Sequence, residues 1–339
     1  MPLINHQFHC DFNQLKSVLI RPIGDAVGDA VAHCAHLRQL KQAFPHIRTG
    51  CFVTARNRAV IQLSGVADEL LEDTPETYLA HRNRWDLVID FFETFYPATF
   101  VSDLALNAPI IAIPKHYNPQ LVNIPANICF CPPSTDVHIR DYLKQSIIGS
   151  YLNTDAVFYL PPNTSLSAFA NQIWYPHKIR VLISPIGTFR YVPPNEIANL
   201  LNSISDQFTP YLDLIMGNSA SAEEYWNILQ PLCRLPIRIA PETTLEQYLS
   251  IIENSDLVIS VDSGNVHLAC AYARPLIAFY GLCHNNIKMW MPSPHNNTPT
   301  IMAISSIEAT HSNLTQQFNI VPLTEWINLQ LSDLLIKLQ

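Results

Sequence analysis

The run Leu257-Val258-Ile259-Ser260-Val261-Asp262-Ser263-Gly264-Asn265-Val266-His267-Leu268-Ala269, followed by Pro275-Leu276-Ile277-Ala278-Phe279-Tyr280-Gly281, decides the fold class. An apolar stretch enters an Asp-Ser-Gly turn, a pattern of small helix-compatible residues follows, and a second apolar stretch begins. Strands buried on both faces read as continuous apolar runs rather than alternating ones. Strand, turn, helix and strand in that order are the building unit of a parallel sheet.

The same unit recurs on either side. Apolar runs at Val18–Arg21, Ile47–Thr54, Leu87–Phe91, Ile110–Ile113, Asn127–Cys131, Arg180–Ser184, Leu212–Met216, Ile237–Ala240, Leu257–Val261 and Leu276–Tyr280 predict strands. Between them, Asp29–Phe44, Asp136–Tyr151, Pro194–Ile204, Ala222–Leu229, Thr244–Asn254 and Asn265–Ala273 predict helices. The expected fold is therefore α/β. Leu160-Pro161-Pro162-Asn163-Thr164 is turn chemistry and interrupts the series. The chain is thus expected to form two doubly wound domains, residues 1–170 and 171–323. A closing helical segment, 324–339, can pack on either domain, back on the first included.

Composition narrows the function. Of 339 residues, 48% are apolar and only 14% charged, which suits large buried cores and excludes disorder. The net charge is −8, and both halves are acidic, which argues against a nucleic-acid partner held through its phosphates. No apolar run reaches the roughly eighteen residues that span a bilayer, and the first residues lack the basic and apolar start of a secretion signal. A soluble, cytoplasmic protein is expected. Eight cysteines are scattered, and only Cys129 and Cys131 are close. Without a second pair they are read as core thiols.

Glycine is spent sparingly. Of nine glycines, Gly24, Gly28, Gly187, Gly217, Gly264 and Gly281 follow closely behind expected strands. Beyond the carboxyl ends of parallel strands lies the ligand crevice of an open sheet, where the backbone must turn or approach a ligand.

Four loops there carry chemistry. At Asp262-Ser263-Gly264 the unpaired N–H groups of a helix start and its dipole favour a phosphate, with Ser263 as a further donor and Asp262 suited to sugar hydroxyls. An ordinary helix cap is the plain alternative for both. His267, one turn on, stands out in a small, apolar helix, with a satisfied core histidine as the plain alternative. At Gly24-Asp25-Ala26-Val27-Gly28-Asp29 the loop lacks a phosphate-binding Gly-Lys-Ser end and a G-x-G-x-x-G pattern, but offers carboxylates suited to general-base work, with helix capping as the plain and compatible role for Asp29. Gly187-Thr188-Phe189-Arg190 presents a guanidinium whose fork matches an anion. Gly217 is followed by Glu223 and Glu224, residue types that hold ribose hydroxyls as readily as they open helices. No D-x-D pair occurs, so a metal held by paired carboxylates is not expected, and no metal site is assigned. No G-x-S-x-G elbow occurs either.

At these residues the sequence resembles glycosyltransferase family 9, the ADP-heptose:lipopolysaccharide heptosyltransferases of the GT-B fold. Gly28-Asp29 with the trailing Leu37, Leu40-Lys41 and Phe44-Pro45 resembles the family's first motif. Arg190-Tyr191-Val192-Pro193 resembles its K/R-x-W-P segment, with Val192 in place of Trp. The block from Asp262 to Ala269, ending in Arg274-Pro275 and Phe279-Tyr280-Gly281, resembles its D-T/S-G-x-x-H-L-A block. After Gly281 this chain has Leu282-Cys283-His284 where the family has Pro-Thr-Asp-Pro.

The resemblance spans residues 17–285 and implies two Rossmann-like domains facing a cleft. It implies an inverting, metal-independent transfer of a sugar, heptose first, from a nucleotide-diphosphate donor to a lipopolysaccharide core acceptor, without a cofactor. Asp29 becomes the expected base and Arg190 the expected diphosphate partner. The loop is two residues longer than the family's, so Asp25 competes with Asp29; counting back from Phe44-Pro45 favours Asp29. Thr188, Glu223, Glu224, Asp262, Ser263, Gly264 and His267 become the expected donor contacts. Two R-x-R pairs, Arg56 with Arg58 and Arg82 with Arg84, are candidates for the anionic acceptor, against the plain reading of a solvated surface. Peripheral contact with the cytoplasmic face of the inner membrane accompanies this reading. Two rivals remain open: a nucleotide-sugar 2-epimerase, and a non-catalytic nucleotide-sugar or glycan-binding protein.

Overall fold

Two parallel sheets organise the chain. The computed structural model describes residues 3–4, 8–92, 102–115, 127–134, 136–308 and 311–338. The chain divides into two compact units, Met1–Phe158 and Tyr159–Gln339.

The first unit contains β1 (Leu3–Ile4), β2 (Ser17–Arg21), β3 (Arg48–Val53), β4 (Glu69–Glu72), β5 (Leu87–Phe92), β6 (Ile110–Pro114) and β7 (Ile128–Phe130), in the order β1-β7-β6-β5-β2-β3-β4. All neighbours are parallel except β1, which runs antiparallel to β7. The order reverses at β2, so the loop after β2 lies at the topological switch point, where ligands of such sheets bind. β2, β5 and β6 are buried throughout, as continuous apolar runs predict.

From that loop rises the helix Val27–Ala43, buried on most of its circumference. Its small residues Ala30, Ala32 and Ala35 allow close packing. It also buries two histidines that sequence reasoning passed over. The His33 Nε2 accepts the Ile23 N–H at 2.9 Å, and the two Nδ1 atoms of His33 and His36 lie 3.4 Å apart. The His36 Nε2 lies 3.1 Å from the carbonyls of Ile139 and Arg140. Burial pushes both rings toward the neutral form, His36 down to about 4. An unfolded histidine titrates near 6.5, so the unfolded chain takes up the extra proton first as the pH falls. The His36 contribution is therefore complete above ~6.5 and lost between ~6.5 and about 4, on the order of 3 kcal/mol. Urea midpoints should fall over that window. His36→Gln, which does not titrate there, should flatten the slope; an unchanged slope would exclude this origin.

The second unit contains β8 (Ile179–Ser184), β9 (Leu212–Met216), β10 (Ile237–Ile239), β11 (Leu257–Val261), β12 (Leu276–Leu282) and β13 (Thr300–Glu308), all parallel, in the order β10-β9-β8-β11-β12-β13. Its order reverses between β8 and β11, again a switch point. One core face gathers Ile183, Phe208, Leu257, Ile259 and Phe279.

One expectation about organisation needs correction, and one open alternative is closed. The break falls after Phe158 rather than at residue 170, because the Leu160 N–H donates to the Ala271 carbonyl and the Asn163 N–H to Glu253, tying residues 159–170 to the second unit. The last helix, Val321–Leu338, packs on the second unit's own core. Leu323, Ile327 and Leu331, spaced four apart on one face, are buried there. Each such side chain contributes roughly 1.5–3 kcal/mol.

Candidate functional site

The second unit's site grows from the carboxyl ends of β8 and β11. β11 ends at Val261 and the helix Gly264–Ala271 starts immediately, so Asp262 and Ser263 form the turn. The Ser263 side chain caps the helix by accepting the Asn265 N–H, and its hydroxyl lies 3.3 Å from that of Ser260. Gly187 passes so close that a Cβ there would sit 3.3 Å from the Ser263 Cβ, which keeps the loop after β8 against this turn. Asn265 donates to the Ser184 hydroxyl at 2.7 Å, and Ser184 meets the Tyr248 hydroxyl at 3.0 Å. These groups line a cavity of about 130 Å³ together with Ile186, Gly217, Asn218 and Ser219. A larger cavity, about 460 Å³, lies at the opposite, amino-terminal end of the same sheet, between Arg180, Asp256 and Arg274.

Arg190 is held rather than free. Its Nε donates to the Ser312 carbonyl and hydroxyl, both at 3.0 Å, one Nη donates to the Asp262 carbonyl at 3.3 Å, and the other reaches Asn286 at 3.4 Å. Its Nε lies 3.3 Å from the Asp262 carboxylate, which also accepts from Asn286 at 2.6 Å. About a quarter of the Arg190 side chain stays exposed against 4% of Asp262. Burial raises the Asp262 pKa, opposed by Arg190 and Asn286. Asp262 is thus first an internal partner of Arg190, and that pairing docks a cation beside the start of the helix Gly264–Ala271. Thr188 and Phe189 form the exposed tip of this loop, Phe189 at 80%. Glu223 and Glu224 lie exposed in the first turn of the helix Ala222–Leu229. His267 is buried, its ring 5.5 Å from that of Trp290.

In the first unit, Asp29 sits at the third position of its helix and its Oδ2 accepts the Ala26 N–H at 3.3 Å. Gly24 makes room for it: a Cβ at Gly24 would fall 2.4 Å from that oxygen. Asp25 faces elsewhere, pairing with Arg56 at 2.7 Å and meeting the Thr54 hydroxyl at 3.4 Å. Arg58 pairs with Glu72 at 2.8 Å. Arg56 and Arg58 follow the carboxyl end of β3, the same end of the sheet as Asp29. Arg82 and Arg84 do not share that end. They precede β5, and the Arg84 carbonyl bonds Ser17 at the start of β2, because a residue before a parallel strand sits at the sheet's amino-terminal end.

Several residues escaped sequence reasoning. Asn286 and Ser312 reach Arg190 across 96 and 122 positions, a separation that no local pattern signals. Arg21, the charged end of an apolar strand, did carry a signal. At the end of β2 it bridges Asp73 and Asp103, each at 2.8 Å. Cys129 and Cys131 are buried core thiols, 3.6 Å apart. Among the described residues no three His, Cys, Asp or Glu side chains cluster as a metal site, and no helix is long and apolar enough to cross a membrane.

Comparison with known proteins agrees with this architecture. Residues 202–315 match the model of glycosyltransferase family 9 (heptosyltransferase). A segment of 74 residues is 35% identical to the lipopolysaccharide core heptosyltransferase OpsX of Haemophilus influenzae; the match covers 22% of this chain and 20% of that protein, well under two thirds of its length. The solved structure of E. coli ADP-heptose lipopolysaccharide heptosyltransferase II superposes with a TM-score of 0.70 at 16% identity, over 95% of this chain and 99% of that one. That of E. coli heptosyltransferase WaaC with ADP gives 0.65 at 14% identity, over 93% and 99%. At these identities the likeness concerns the fold, which is GT-B.

Proposed function

We propose that this chain, a member of glycosyltransferase family 9, transfers a heptose with inversion from a nucleotide-diphosphate donor, ADP-heptose first, to a lipopolysaccharide core acceptor. The observation that carries the reading is the guanidinium of Arg190 docked beside the start of the helix Gly264–Ala271. That arrangement suits a leaving diphosphate, since fixed cations and helix N–H groups stabilise developing negative charge without reorganising. Ser263 adds a hydroxyl donor. Glu223 and Glu224 are offered to the ribose, Thr188 to the sugar-phosphate, and His267 to holding the helix start in place.

In the first unit Asp29 is the base. Its carboxylate takes the proton of the acceptor hydroxyl, and that oxygen forms a bond to the anomeric carbon on the face opposite the diphosphate, whose bond to the same carbon breaks. Asp25 is the weaker candidate because counting back from Phe44-Pro45 places Asp29, not Asp25, in the motif. No metal is needed in this scheme: Arg190 and the helix supply the positive charge.

The sharpest first experiment is a thermal-shift panel of nucleotide diphosphate sugars, because a ligand that binds only the native state raises Tm. ADP-heptose should give the largest shift. A larger shift from a uridine or guanosine sugar would reassign the donor.

Arg56 and Arg58 are proposed to contact the acceptor's phosphates and carboxylates. Their ion pairs are exposed, so they can exchange partners at small cost. The double variant Arg56→Ala/Arg58→Ala should raise the acceptor KM and leave the donor KM unchanged, with each lost contact worth about 1–3 kcal/mol. Steady-state kinetics at low salt is the check, where such contacts are strongest; an unchanged acceptor KM would place the acceptor elsewhere.

A further inference from the structure

The buried histidines of the first unit form a chain of hydrogen bonds with one consistent direction. Because the His33 Nε2 accepts the Ile23 N–H, its proton must reside on Nδ1. That Nδ1–H then faces the His36 Nδ1 at 3.4 Å, which must accept, leaving the His36 proton on Nε2. There it donates to the Ile139 and Arg140 carbonyls at 3.1 Å. Phe91 closes the site, its ring stacked at 4.8 Å on His36 and tilted at 4.6 Å against His33.

The placement is specific. His33 lies four residues after Asp29, and positions four apart share one helix face. Ile23 immediately precedes Gly24, the residue whose missing side chain admits the Asp29 carboxylate. The loop between β2 and its helix is therefore gripped at two points: Ile23 by His33, and Ala26 by Asp29 itself.

We infer that His33, its tautomer set by His36, is a positioning residue that holds the Ile23–Ala26 loop so that the Asp29 carboxylate is correctly aimed. The inference rests on the reading of Asp29 as the base. His33 touches no substrate; it acts through the loop. Its effect belongs in kcat rather than in donor KM, since misplacing a reacting group by about an ångström can cost 10²-fold in rate.

Three variants and one spectrum test this in the full chain. His33→Leu should lower kcat by about 10²-fold with the donor KM unchanged. His33→Gln, whose carbonyl can accept from Ile23 and whose amide can donate to His36, should recover most of that loss. In ¹⁵N-labelled wild-type protein, the ring shifts at neutral pH should report His33 as the Nδ1–H tautomer and His36 as the Nε2–H tautomer, a readout independent of whether the leucine variant folds. A cationic His33, the opposite tautomers, or His33→Leu at wild-type kcat while Asp29→Asn is inactive would overturn the positioning role and leave the base in place. Full activity of Asp29→Asn would remove the base and this role with it, whatever the tautomers.

Discussion

Asp29→Asn should reduce kcat by about 10²–10⁴-fold, the range for loss of a general base, while ADP-heptose binds to it as to the wild type. The substitution keeps the size of the side chain and its acceptor oxygen, so the bond from the Ala26 N–H and the fit beside Gly24 survive. What is lost is the capacity to take a proton. Donor binding, proposed above for the other unit, gives the internal control. Equal loss of kcat and of donor affinity would point to a disturbed fold. The same loss in Asp25→Asn, with Asp29→Asn active, would move the base to Asp25, and the Asp25–Arg56 pair would then be part of the machinery.

Arg190→Ala should lower kcat by about 10²–10³-fold, as removal of one preorganised donor to a developing oxyanion does. It should also lower Tm, because Asp262, 4% exposed, would keep Asn286 but lose its neighbouring charge. Arg190→Lys should fall between wild type and alanine: a single ammonium cannot reproduce contacts to Ser312, Asp262 and Asn286 from one planar fork. The measurement is kcat at saturating donor alongside the melting curve. A variant that melts earlier but turns over normally would make the Arg190–Asp262 pair structural only.

The fold was legible where burial is two-sided. Leu212–Met216 and Leu257–Val261 have the limits their apolar runs predict, since both strands lie inside the sheet. Edge strands were less legible: β10 was expected at Ile237–Ala240, but β4 and β13 were not. β4 is Glu69-Leu70-Leu71-Glu72, and β13 interleaves exposed and buried residues, because an edge need not be apolar throughout. The helix expected over Asp136–Tyr151 is instead broken into short turns. Gly149 packs so tightly that a Cβ would fall 1.9 Å from the Lys144 carbonyl.

For the site, the loops carrying Asp29, Arg190 and Asp262 could be read because each follows an apolar run and contains a glycine. Their partners could not be. Asn286, Ser312 and Tyr248 join through tertiary contacts, and His33 reads as a core residue until the direction of its hydrogen bonds is known.

The central claim is transfer itself. Purified protein would be incubated with ADP-heptose and a lipopolysaccharide core acceptor lacking the terminal heptose, with excess EDTA present, and products followed by mass spectrometry. One heptose should be added to the acceptor for each ADP released, at an undiminished rate in EDTA. ADP-heptose bound but unchanged, its sugar epimerised without acceptor, or transfer that stops in EDTA and returns with magnesium would contradict it.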